Sequence, residues 1–178
     1  MPHTDRTTHT APSPFVFRAA GPSDGAAVWR LVQATGALEP NSPYCYLLLV
    51  TDFGDTCLIA EQAGEVVGVV LGYHPPREPE TAFVWQIGVM PVLRGRGLGL
   101  RMLQAWMALP ANAHCAWVTA TVAEDNPASQ ALFGRLAATH QTRCEVLPHF
   151  HAHQFPHEHP AEPLYRIGPL ARGVPTHV

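Results

Sequence analysis

The chain has 178 residues, of which 47% are hydrophobic, and its 11 Lys and Arg against 14 Asp and Glu leave a formal net charge of −3. That length suits one domain with a core of its own, and without a long run of Lys or Arg there is no nucleic-acid footprint. No apolar stretch approaches bilayer-spanning length, and Cys45, Cys57, Cys115 and Cys144 stand apart inside apolar segments rather than in the close pairs of a zinc site or disulfide framework, so reduced, buried thiols in a soluble cytoplasmic protein are expected.

Residues 1–14, MPHTDRTTHTAPSP, are polar and lack the apolar middle of a secretory signal. They are expected to form a disordered tail, with a single domain over 15–170 and a second tail over 171–178. A short strand at 15–20 precedes Pro22, Ser23 and Asp24, which are helix-start residues. Val28, Leu31, Val32 and Thr35 then share one helical face, and Gly36 supplies a stop. Ser42 and Pro43 open a second helix, YCYLLLVTDF. Segments 56–62 and 65–74, joined at Ala63 and Gly64, read as an antiparallel hairpin. The Pro-rich PPREPET precedes the longest strand, 82–90, where Pro91 ends pairing for want of an N–H. A helix over 97–108, a strand over 115–122, a helix from Pro127 to about 137, and strands near 143–147 and 164–168 complete a mixed α/β domain.

The stretch VMPVLRGRGLGLRML, residues 89–103, sets Gly95, Gly97 and Gly99 between arginines, after a strand and at the start of a helix. The spacing is not the Gly-x-Gly-x-x-Gly of a dinucleotide fold, and the Gly-Lys-Ser/Thr ending of a P-loop is missing. What remains is a turn whose glycines admit a ligand to the backbone, whose N–H groups point outward, and whose helix dipole favours an anion. Arg94 and Arg96 add charged donors. This chemistry suits a pyrophosphate held without a metal, although glycine turns also occur with no ligand.

Arg94-x-x-Gly97-x-Gly99, preceded by IGVMP and followed after one strand by EDNPASQALFGRL, resembles the acetyl-CoA-binding signature of the GNAT N-acetyltransferase superfamily over residues 15–147. The resemblance implies a mostly antiparallel central sheet flanked by helices. It implies that the backbone of Ile87, Gly88 and Val89 pairs with the pantetheine arm like an added strand. The amides of Arg94, Gly95, Arg96, Gly97, Leu98 and Gly99 would cradle the pyrophosphate, with Asn126 beside the cofactor and Ser129 and Phe133 nearby. Many members carry a tyrosine on that last helix as general acid to the leaving thiolate; here the matching residue is Phe133, which donates no proton.

LEPNSPYCYLLLVTDFGDTCLIAE, FVWQIGVMP and DNPASQALF further resemble the diaminobutyrate acetyltransferases of ectoine biosynthesis, over nearly all of 15–170. This implies transfer of acetyl from acetyl-CoA to the 4-amino group of L-2,4-diaminobutyrate by a homodimer, without a metal. Glu39, Asn41 and Tyr44 offer a carboxylate, an amide and a phenol at the start of the second helix; the family's usual residue at the first of these is aspartate. The Trp85 ring could meet an ammonium group through a cation–π contact. Glu162, matching an acidic position of the family, is the candidate for anchoring or deprotonating the acceptor, with Glu39 as the second carboxylate. The Val89 amide would polarise the thioester carbonyl.

PHFHAHQFPHEHP, residues 148–160, holds five histidines. On a strand His149, His151 and His153 would share a face suited to a metal. Pro148, Pro156 and Pro160 argue instead for an irregular loop covering the acceptor pocket. Two other functions stay open from sequence: a GNAT enzyme for another diamine, a polyamine or a protein N-terminus, and a non-catalytic acyl-CoA- or metal-binding module.

Overall fold

The computed structural model describes residues 13–171, so the expected tails, apart from Ser13, Pro14 and Ala171, lie outside the described residues. Seven strands form one sheet: β1 (Phe15–Ala19), β2 (Leu58–Gln62), β3 (Glu65–Tyr73), β4 (Thr81–Val89), β5 (Trp117–Thr121), β6 (Arg143–Phe150) and β7 (Glu162–Gly168). Their order is β1-β2-β3-β4-β5-β7-β6. Every neighbouring pair is antiparallel except β4 and β5, which run parallel. The helices are α1 (Gly25–Thr35), α2 (Pro43–Asp52), α3 (Leu98–Met107) and α4 (Pro127–Thr139).

Local chemistry explains the boundaries. Ser42 Oγ accepts the Cys45 N–H at 3.3 Å and Asn126 Oδ1 accepts the Ser129 N–H at 3.1 Å, each followed by a proline in the first helical turn. Gly36 ends α1 in the left-handed region, as its position predicts. β6 differs from expectation. It continues through Pro148 and His149 to Phe150, with its register against β7 shifting between Leu147 and Phe150. Proline is tolerated there because β6 lies at the sheet edge and the ladder slips at that point.

The sheet separates two apolar layers. Leu58, Ala60 and Val70 face α3 and α4, packing with Met102, Leu103, Trp106, Leu136 and Ile167. Ile59, Val69 and Leu71 face α1 and α2, packing with Val28, Leu31, Val32, Tyr46 and Val50. Alternation along β2 and β3 thus supplies both layers, and each fully buried Leu, Ile or Val contributes about 1.5–3 kcal/mol. Trp106 seats α3 on the sheet and donates Nε1–H to Thr56 O at 2.7 Å. Only glycine fits beneath it at position 72, where a Cβ would lie 2.7 Å from the indole and 2.6 Å from Phe83 O.

One ion-pair cluster joins β1, β2 and the entry to α1. Arg18 donates to both Asp24 oxygens at 2.8 Å and to Glu61, and Asp24 Oδ2 also accepts the Gly21 N–H at 2.8 Å. The Arg18 guanidinium and the Gly21 amide hold the Asp24 carboxyl below its ordinary range, despite partial burial that pushes the other way. Asp24→Asn is expected to cost about 1–2 kcal/mol, a thermal midpoint lower by roughly 2–8 °C. Because the folded-state pKa is depressed, this contribution is full above the ordinary carboxylate value and is lost as pH falls through the lowered one. Thermal melts of both proteins should therefore differ at pH 7 and converge in strong acid; a constant gap across that range would contradict the assignment.

Candidate active site

The centre of the site is where β4 and β5 part. Their register runs from Thr81↔Trp117 to Val84↔Ala120, while β4 continues to Val89. On its other side β4 stays paired with β3, but the register jumps from Leu71↔Gln86 to Gly72↔Val84, leaving Trp85 as a bulge. A bulge bends its strand and increases the twist. Beyond it, the Met90 N–H reaches Val67 O at 2.9 Å. Alternation in the antiparallel ladder therefore turns the backbone of Gly88 toward β3 and that of Ile87 and Val89 into the gap.

The glycine turn lies directly after this open edge. Gly95 and Gly97 have φ of 73° and 75°, in the region that disfavours side chains. Gly97 is the residue before α3, and its carbonyl accepts from the Arg101 N–H at 3.2 Å. Among the described residues no backbone carbonyl takes the amides of Gly95 through Leu100. The turn thus presents a row of unpaired donors at the positive end of a helix. Arg94 is engaged otherwise: its amide donates to Pro91 O at 3.2 Å, and its guanidinium donates to the carbonyls of Val89 and Thr35. Its side chain ties the turn to the C-terminus of α1, where a cation suits the dipole, so Arg96 is the arginine left with an open side chain.

A cavity of about 870 Å³ opens from the gap. Glu39, Asn41, Trp85, Ile87, Asn126, Ser129, Phe133 and Glu162 all line it, so the structure brings together residues from four separate stretches of chain. Tyr44 does not join them, being on α2 and 71% exposed. Gly88 packs against the end of α1 and the loop after it, where a Cβ would lie 3.3 Å from Thr35 and 3.0 Å from Leu38. Gly99 sits in the first turn of α3 beside Leu132 of α4. The histidine segment forms another wall through His149, Phe150, Phe155 and His159. Phe155 stacks on His159 at 3.9 Å, and His159 Nε2 lies 3.8 Å from Glu162 Oε1. Since β6 stops at Phe150, His149, His151 and His153 do not form the shared strand face; His151 and His153 stack together at 5.6 Å, outside the cavity lining.

Sequence reasoning passed over the polar brace beneath the acceptor end. Tyr46 is fully buried, and its hydroxyl donates to Gln86 Oε1 at 3.2 Å while accepting the Asn41 N–H at 3.1 Å. Gln86 Nε2 donates to Glu39 O at 3.0 Å. Two side chains therefore fix the backbone that carries Glu39 and Asn41. The available signal was a glutamine in the apolar run FVWQIGVM, at a strand position whose neighbours in phase are buried. The cysteines stay away from this chemistry. None lines the cavity among the described residues, and burial raises the thiols of Cys115 and Cys144 and pushes Cys57 up to about 11.

This arrangement is that of an acyl transferase, and the chain belongs to the GNAT acetyltransferase family, whose model (Acetyltransferase (GNAT) family) matches residues 27–138. Within that family it is 44% identical over 148 residues to the L-2,4-diaminobutyric acid acetyltransferase of Shouchella clausii, covering 83% of each chain. The diaminobutyrate acetyltransferase of Paenibacillus lautus, solved in complex with its substrate L-2,4-diaminobutyric acid and coenzyme A, is 38% identical, with a TM-score of 0.85 over 91% of this chain and 99% of that one. The ribosomal-protein-S18-alanine N-acetyltransferase of Escherichia coli shares the fold at 16% identity and a TM-score of 0.63, over 93% of this chain and 100% of its own.

The two arginines of the turn should separate on mutation. Arg94→Ala, which frees the end of α1, is expected to lose about 1–2 kcal/mol of stability, roughly 2–8 °C in melting midpoint. Arg96→Ala should leave the melt unchanged and weaken coenzyme A binding about 2–5-fold, as for one exposed charge pair. Calorimetric melts and titrations with coenzyme A check both, and equal effects of the two substitutions would contradict this division.

Proposed function

We propose that this acetyl-CoA-dependent N-acetyltransferase acts on the 4-amino group of L-2,4-diaminobutyrate, giving N4-acetyl-L-2,4-diaminobutyrate, a step of ectoine biosynthesis. The observation that carries the reading is the near-complete overlap with the Paenibacillus lautus enzyme and the substrate named for it, together with a cavity in which Glu39, Trp85 and Glu162 meet the open edge of β4. The amides at Ile87 and Val89 are suited to hold the pantetheine arm, and those of Gly95 to Gly99 the pyrophosphate, with Asn126, Ser129 and Phe133 along the opposite wall.

An amine of lysine-like pKa is neutral in only about one molecule in a thousand at pH 7, so the acceptor must lose a proton before it attacks. Glu162, with His159 beside it, takes that proton directly or through water, and Glu39 and Trp85 hold the rest of the acceptor. The nitrogen lone pair forms the C–N bond to the thioester carbonyl, whose oxygen gathers charge against the Val89 N–H. The C–S bond breaks and coenzyme A leaves as a thiolate that is protonated from water, since the Phe133 ring has no proton to give. With no cysteine in the cavity lining among the described residues, both substrates bind together and no acyl-enzyme forms.

The same reading makes the protein a cytoplasmic homodimer serving osmoprotection. Tyr44, Leu47, Leu48 and Phe53 are exposed on and just after α2 and offer apolar surface for such a pairing, and no helix among the described residues is long and apolar enough to cross a membrane.

Steady-state release of coenzyme A with diaminobutyrate, ornithine, lysine and a peptide N-terminus, followed by NMR of the product, tests the acceptor. Diaminobutyrate is expected to lead ornithine by about 10–200-fold in kcat/KM, one methylene's worth of discrimination, with acetyl on N4; a preference for ornithine, lysine or the peptide would overturn the reading. Glu162→Gln should lower kcat by about 10²–10⁴-fold and flatten the dependence of rate on pH. Normal turnover across pH would remove Glu162 as the base.

A further inference from the structure

Outside the cavity, His74, His114 and Cys115 each bring a donor atom to within 4.8 Å of the others, the one such histidine, cysteine and carboxylate group among the described residues. They converge from distant parts of the chain. His74 follows the end of β3, while His114 and Cys115 lie in the connection from α3 to β5. The two imidazole rings meet edge to face with centroids 5.1 Å apart. Cys115 Sγ is 3.8 Å from His114 Nε2. A thiolate and an imidazole on one tetrahedral zinc lie about 3.6 Å apart, given Zn–S near 2.3 Å and Zn–N near 2.0–2.1 Å. That pair already stands close to ligand separation.

The groups behind the cluster orient it. Asn112 is 3% exposed and donates Nδ2 to Trp106 O at 2.8 Å, which turns its Oδ1 toward His74 Nε2, also at 2.8 Å. An amide oxygen only accepts, so His74 Nε2 carries the proton and Nδ1 keeps the lone pair. A histidine whose second nitrogen is held by such an acceptor is oriented as metal-ligating histidines are. His114 is exposed and its Nε2 also faces Pro79 O at 3.1 Å; a carbonyl only accepts, so this nitrogen carries the proton in the metal-free protein, and metal binding replaces the carbonyl contact by moving that proton to Nδ1.

We propose that His74, His114 and Cys115 form a binding site for a divalent cation of the zinc class, with solvent in the fourth position. Two imidazoles and a thiolate select zinc, cobalt or nickel over magnesium and calcium. On binding, the Cys115 S–H bond breaks, its proton goes to solvent, and the sulfur and two neutral ring nitrogens each give a lone pair to the ion. The cation joins the end of β3 to the segment entering β5, at the end of the sheet where β4 and β5 remain paired. It also anchors the base of the 74–80 connection, whose Pro75 and Glu78 line the cavity. Its role is a clasp behind one wall of the site.

The test is anaerobic titration of the full chain, untagged and freed of metal with a chelator, with Co²⁺. One equivalent should bind, with a sulfur-to-cobalt charge-transfer band and the visible bands of tetrahedral coordination, and one equivalent of Zn²⁺ should displace it. Cys115→Ser should lose the charge-transfer band, and His114→Ala, at an exposed position, should keep the parent's melting midpoint within a few degrees and bind at least tenfold more weakly. A double substitution of His151 and His153 by Ala should bind as the parent does. No charge-transfer band in the parent, binding unchanged in both His114→Ala and Cys115→Ser, or binding lost with His151 and His153, would each overturn the proposal.

Discussion

The constraint on which the site depends is the short parallel contact between β4 and β5. Parallel strands cannot be joined by a tight turn, and here the crossover runs through α3, so the helix N-terminus falls beside the end of β4. The bulge at Trp85 then bends β4 away after Val84. The bulge therefore opens the cavity and leaves the backbone of Ile87 and Val89 directed into the gap, while the crossover sets that edge next to the glycine turn. Side chains refine this geometry, but the main chain creates it.

Polar groups taken out of water hold the geometry in place. The Tyr46 hydroxyl and the Gln86 amide connect the strand that bears the open edge to the loop that bears Glu39 and Asn41. Arg94 connects that same strand to the end of α1. Both ties span long separations in sequence and converge on β4, so the cofactor edge and the acceptor loop are referenced to one element. No buried side-chain nitrogen or oxygen among the described residues lacks a partner, which is what a network of this kind requires if it is to stabilise rather than strain the fold.

Most of the fold was legible because its boundaries are written locally. Ser42-Pro43, Asn126-Pro127, Gly36 and the Ala63-Gly64 turn each act within a few residues, and all lie where their chemistry puts them. The sequence shows β6 only as far as Leu147, because Pro148 interrupts a central strand but not an edge strand, and sheet position is not a local property. The site was legible in part for the same reason. The glycine turn is local, whereas the bond from Arg94 to Thr35 spans 59 positions. Tyr44 and Tyr46 are separated by about 200° around a helix, and α2 is apolar on most sides, so its sequence alone did not reveal that Tyr46 is inside and Tyr44 outside. The cluster of His74 with His114 and Cys115 was invisible for want of any spacing rule between positions 74 and 114.

Pro148 has a further consequence, for the protein in a crowded solution. β6 is an edge strand eight residues long, and Val146, Leu147 and Phe150 are exposed on it. An unbroken apolar edge of that length is a template on which another chain can add a strand. Pro148 removes one donor from that edge and the register slip beside it spoils the even spacing of the rest, so the protein ends its sheet with a blunted margin that resists strand-by-strand aggregation.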